Sequence, residues 1–173
     1  MRKAQVVLVS LLCLTLAFSV FVFVSGTQAK TGKAKPMAVK ADGKALWDYL
    51  KMEKYAKNWK MLPGTKAFYP GKEPHGALLT SYVNKKAYTA IKKKKGMLPD
   101  GAIVVKENYS ADKKLGALTV MYKVKGYNPA AGDWFWVKYL PDGKVAVEGK
   151  VDACINCHAS AKATDYIFGA PSK

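Results

Sequence analysis

Two cysteines and a histidine near the C-terminus, Cys154-Ile155-Asn156-Cys157-His158, restrict this chain more than any other feature, because only 15 residues follow them. On a helix, positions i, i+3 and i+4 lie on one face. Two thiols at that spacing can add to the two vinyl groups of one haem, and the next residue then turns its imidazole toward the iron. This is the c-type haem attachment pattern. Other uses of the motif fit less well. A thioredoxin-like redox pair needs most of its fold after the motif, and here there is only a tail. A structural zinc site wants four ligands. Beyond residue 29 the chain has two cysteines and two histidines, so His75 would have to complete that set at long range. A disulfide closing so short a loop has poor geometry. The expectation is one haem c per chain, held covalently by Cys154 and Cys157, with His158 as the metal ligand.

The N-terminus agrees with a compartment in which such haem is attached. Met1, Arg2 and Lys3 form a basic start, and residues 6–24 are an uncharged run. Thr27-Gln28-Ala29 then offers small residues of the kind a signal peptidase reads. Residues 1–29 read as a secretory signal peptide and the rest as periplasmic. The run nearly spans a bilayer, so a retained N-terminal anchor is the alternative, and the only route to a membrane. Cys13 lies inside the run, preceded by leucines rather than by the small residue a lipoprotein site needs. Two of the 29 basic residues, Arg2 and Lys3, belong to this segment, which leaves 27 against 12 acidic ones. So basic an exported chain suits an anionic neighbour, whether a membrane surface, an acidic redox partner such as another cytochrome or an anionic substrate, and does not point to nucleic acid. The lysines at 92–95 read first as a solvated face. Residues 30–41, mostly Lys, Ala, Gly and Pro, read as a basic flexible linker.

Residues 42–173 read as one domain. Half of all residues are apolar and 12% are aromatic, which excludes wholesale disorder. Asp42 caps a predicted helix running to about residue 60, with Leu46, Leu50, Tyr55 and Trp59 along one stripe. Pro63-Gly64 ends it. Residues 77–83 read as a strand, and 85–95 as a helix stopped by Gly96. Pro99-Asp100-Gly101 is a turn. Strands follow at 102–109, 118–125, 134–140 and 145–151, the last two joined by Pro141-Asp142-Gly143. Consecutive strands with short turns predict an α+β fold: a mainly antiparallel β-sheet with a few helices on one side. Such strands exclude a four-helix haem bundle. The tail after His158 contains no Met, unlike small electron-transfer cytochromes, which carry a Met ligand well downstream of the motif.

The chain resembles the cytochrome P460 family, which includes the β-type cytochromes c′. The resemblance rests on Pro74-His75-Gly76, Tyr82-Val83-Asn84, the run from Pro99-Asp100-Gly101 through Lys106-Glu107, Gly132-Asp133-Trp134, and the C-terminal motif with Ala159. It implies a mainly antiparallel fold, a homodimer, and one c-type haem with His158 proximal and the distal side open. It also implies either oxidation of hydroxylamine and nitric oxide, or gas binding without turnover. The family carries a lysine bonded to a haem ring carbon, just before a Glu in the strand after an Asp-Gly turn. The matching position is Lys106.

Read from the residues alone, Lys106 is a strand lysine sharing a face with Ala102, Val104 and Asn108, and by default it is solvated. His75 is either a loop histidine, a distal hydrogen-bond donor or a sixth iron ligand. The last of these would close the iron. Tyr82, Tyr109 and Tyr122 are candidates to line the pocket. Hydroxylamine oxidation also wants a proton acceptor, for which Glu107, Asp133, Glu148 and Asp152 are candidates.

Overall fold

The computed structural model describes residues 39–170. The expected signal peptide (residues 1–29), residues 30–38 of the expected linker and residues 171–173 lie outside the described residues. Among the described residues no helix is long and apolar enough to cross a membrane. Residues 39–41 already belong to the fold. Val39 and Ala41, the apolar residues of that short stretch, border the core, and the Tyr122 hydroxyl donates to the Val39 carbonyl at 2.8 Å.

Helix α1 (Gly43–Glu53) starts at Asp42, whose carboxylate accepts from the Ala45 N–H at 2.8 Å. Leu46 and Leu50, one turn apart, are fully buried. The single helix expected to residue 60 is broken at Lys54, which adopts a left-handed backbone with φ of 48°. The short α2 (Tyr55–Asn58) follows at a new angle. The break has a tertiary reason: it aims the Tyr55 hydroxyl at buried Glu107, 2.8 Å away. Then come β1 (Lys60–Met61), β2 (Tyr69–Pro70), β3 (Leu78–Val83) and α3 (Lys85–Lys92), the last capped by Asn84. Four strands complete the sheet: β4 (Ile103–Tyr109), β5 (Leu115–Lys123), β6 (Trp134–Tyr139) and β7 (Val145–Gly149). Helix α4 (Asp152–His158) and a 3-10 turn (Ala159–Thr164) end the described chain.

The sheet is antiparallel throughout, in the order β1-β3-β4-β5-β6-β7, with β2 also paired to β3. Gly143 makes the β6–β7 turn with φ of +87° and lies so close to Trp47 that a Cβ would clash with its ring. Alternation divides the strands into two buried faces. Ile103, Val105, Leu118, Val120, Phe135 and Val137 face Leu46 and Leu50 of α1. Val83, Val104, Met121, Trp134 and Trp136 face α3 and α4. The fold is therefore α+β as expected, but helices cover both faces of the sheet rather than one. The central strands explain this, because their residues are apolar at odd and even positions alike, so both faces have to be covered.

Candidate haem site

The pairing register lays side chains out in rows across the sheet. Ser81, Lys106, Thr119, Lys138 and Val147 stand opposite one another on β3 to β7. Val104, Met121 and Trp136 form the next row. Both rows line one cavity, which is closed by α4, by the loop carrying Pro74 and His75, and by Ile167 and Phe168. The cavity has about 880 Å³ of atom-free space, counting the part open to solvent.

Helix α4 supplies Cys154, Cys157 and His158 at the expected one-face spacing. Both cysteines are free thiols, the first half-buried and the second exposed. Burial pushes the Cys154 thiol above its ordinary value. His158 is buried, and its Nδ1 donates to the Tyr166 carbonyl at 2.6 Å. A carbonyl only accepts, so the proton sits on Nδ1 and Nε2 keeps its lone pair. Burial holds the imidazole below its usual range, against the pull of that hydrogen bond. The carbonyl is itself anchored. Asp165 and Tyr166 both take left-handed backbones, and the Asp165 carboxylate receives Lys123 Nζ at 2.7 Å and the Leu98 N–H at 2.7 Å. Trp134 Nε1 donates to the Asp165 carbonyl at 3.0 Å.

Across the cavity lies His75. Its loop is held against β4, where Gly76 passes so near the Tyr109 backbone that no Cβ would fit. His75 Nδ1 is 2.8 Å from Asn108 Oδ1. The His75 and His158 rings have centroids 6.2 Å apart and an angle of 82° between their planes. Burial first, and Lys106 second, push His75 down to about 4. Lys106 also lines the cavity, half-buried, and burial lowers its pKa, partly opposed by Cys157. The solvated reading of this strand lysine does not describe its position.

No Asp or Glu is among the cavity-lining residues. Glu107 accepts from the Tyr55 and Tyr109 hydroxyls instead. Asp133 accepts the Gly126 and Asn128 N–H groups, Glu148 accepts the Gly43 N–H, and Asp152 is exposed. Tyr82, Tyr109 and Tyr122 do not line the cavity either. The reason is strand alternation: Tyr82 pairs with Val105, and Tyr122 with Ile103, on the α1 side of the sheet. Asn108, Trp136, Lys138 and Phe168 belong to the site without having been singled out as site residues. For Asn108 a signal existed in the shared parity of 106 and 108. For Ser81, Thr119 and Met121 none did, because their rows depend on register.

These residues fit a haem. A neutral imidazole borders a mostly apolar cavity beside two free thiols on one helical turn. Lys138, exposed at the cavity wall, would pair with a propionate of such a group. Trp136 Nε1 is a buried donor with no acceptor among the described residues, and a propionate is an acceptor. The described residues assemble no set of three or more His, Cys, Asp or Glu side chains for a metal ion, so the four ligands of a zinc site are not brought together. The family model for cytochrome P460 matches residues 53–169, from the end of α1 past α4. No curated protein matches the chain.

Proposed function

The chain belongs to the cytochrome P460 family, whose members bind haem, and on that premise we propose that it is an exported mono-haem cytochrome binding nitric oxide or a related small nitrogen oxide. In this reading Cys154 and Cys157 would hold the haem covalently and His158 would ligate its iron. Haem iron, once bound, supplies a redox-active centre that takes diatomic ligands. The chain does the rest. The Tyr166 carbonyl fixes the His158 tautomer and ring orientation. Val104, Met121 and Trp136 give the cavity an apolar wall, while Lys138 balances charge at its exposed edge. The observation that carries the proposal is the convergence of His158, both thiols and these apolar side chains on one cavity.

Acid-acetone extraction tests it: colour should stay with the protein, and Cys154→Ala with Cys157→Ala should abolish it. Reduced protein should then give a nitrosyl spectrum on titration with nitric oxide. Loss of colour to the organic phase defeats the reading.

Hydroxylamine oxidation, with Lys106 bonded to the haem, is a second reading. It is favoured by one observation: Lys106 lies in the cavity with its pKa lowered by burial, and a neutral amine is the nucleophilic form. The missing cavity carboxylate counts against it. Peptide mass spectrometry would find a haem peptide joined to β4, and turnover with an artificial electron acceptor would be lost in Lys106→Ala. Export to the periplasm, a homodimer and an acidic redox partner belong to the same proposal.

A further inference from the structure

His75 and His158 face each other across the cavity, and hydrogen bonds determine what each presents. The amide of Asn108 has one allowed orientation. Its Nδ2 lies 2.9 Å from the Lys106 carbonyl, 3.2 Å from the Ala117 carbonyl and 3.3 Å from Thr119 Oγ1, so the nitrogen is the donor there. Oδ1 is then the atom facing His75, and it only accepts. His75 Nδ1 therefore carries the proton, and Nε2 offers a lone pair. A neutral His75 in this tautomer has no N–H left for a ligand in the cavity. It can bind a metal or take a proton. His158 has the same tautomer for the same reason, a carbonyl on its Nδ1.

The spacing selects between those two uses. Two metal–imidazole bonds of about 2 Å each, with half a ring at either end, span about 6 Å between ring centres. The rings stand 6.2 Å apart. Met121 and Lys106 also line the cavity, but only His75 has a ring held by a hydrogen bond at this distance from His158. We propose that His75 is the second axial ligand of the haem iron, so that two histidines close the iron at rest and an incoming ligand must displace His75. The exchange breaks the bond from iron to His75 and forms one to the new ligand. No electron moves, and His75 leaves as a neutral imidazole. The inference rests on haem being bound through Cys154, Cys157 and His158, and it makes His75 the residue that sets how fast the site opens.

The test uses the purified haem-loaded protein at neutral pH, wild type and His75→Ala. Absorption and electron paramagnetic resonance should report low-spin, six-coordinate iron in wild type and high-spin iron in the variant. The rate of carbon monoxide binding to reduced wild type should level off as the gas concentration rises, because His75 must leave first. In His75→Ala it should rise linearly and be at least tenfold faster at saturating gas. Added imidazole should return the variant to low spin. If His75→Ala fails to fold, the wild-type spectrum and the carbon monoxide dependence decide alone. High-spin wild-type iron with a linear rate would overturn the inference and leave the proposed function standing. A low-spin spectrum unchanged in His75→Ala would also overturn it. Protein without covalent haem would bring down both.

Discussion

Two residues outside the cavity wall set what the two histidines present to it. Asn108 holds the His75 tautomer, and Asp165 holds the turn that brings the Tyr166 carbonyl to His158. Asn108→Asp puts a charged acceptor on His75 Nδ1 and makes that imidazole a stronger donor, which stabilises the oxidised iron. The midpoint potential of the haem protein, read by redox titration, should fall; a potential that rises or stays put removes His75 from the iron. The Lys123–Asp165 pair is almost wholly buried, with side chains 4% and 3% exposed. Removing one partner of such a pair leaves the other charge uncompensated, at a cost of about 3–5 kcal/mol. Lys123→Met should therefore lower the urea midpoint of the haem-loaded protein by a corresponding amount. A change below about 1 kcal/mol would show that the pair anchors nothing.

At the scale of elements, each strand sorts its side chains between two jobs. Residues 104, 106 and 108 of β4 serve the cavity, while 103, 105 and 107 serve the core under α1. Substitutions on the two faces should have separable effects. Leu50→Ala removes a fully buried side chain of α1 and should destabilise by about 2–5 kcal/mol, yet leave the haem spectrum as it was. Glu107→Gln weakens its hydrogen bonds with Tyr55 and Tyr109 and should also lower stability. Ligand binding at the haem should be untouched, and a loss of nitric oxide affinity in this variant would restore Glu107 as a cavity group. The helix boundaries follow the same division of labour. The apolar stripe running on from α1 was legible, but the turn at Lys54 was not, because it exists to bring Tyr55 to a carboxylate 52 residues away.

For the whole molecule, a formal net charge of +17 bears on partners rather than on fold. Association with an acidic cytochrome should weaken steeply between low salt and about 0.15 M, where screening acts over about 8 Å; binding indifferent to salt would argue against an acidic partner. Much of the fold was legible along the chain. The c-type motif, the Asp42 cap, the strand positions and the Pro-Asp-Gly turns are local signals: their residues act on neighbours a few positions away, so spacing and residue type suffice to read them. What only the tertiary structure decided is which distant residues meet. His75 and Asn108 are 33 positions apart, and Lys123 and Asp165 are 42 apart. Strand register sets the rows that bring Lys106, Thr119 and Lys138 together, and a one-residue slip would turn each of them to the other face. The carboxylates nearest in sequence to the expected site lie elsewhere for the same reason. Proximity along an extended strand reverses direction at every residue, whereas the cavity is assembled from one face of five strands, a helix and a loop.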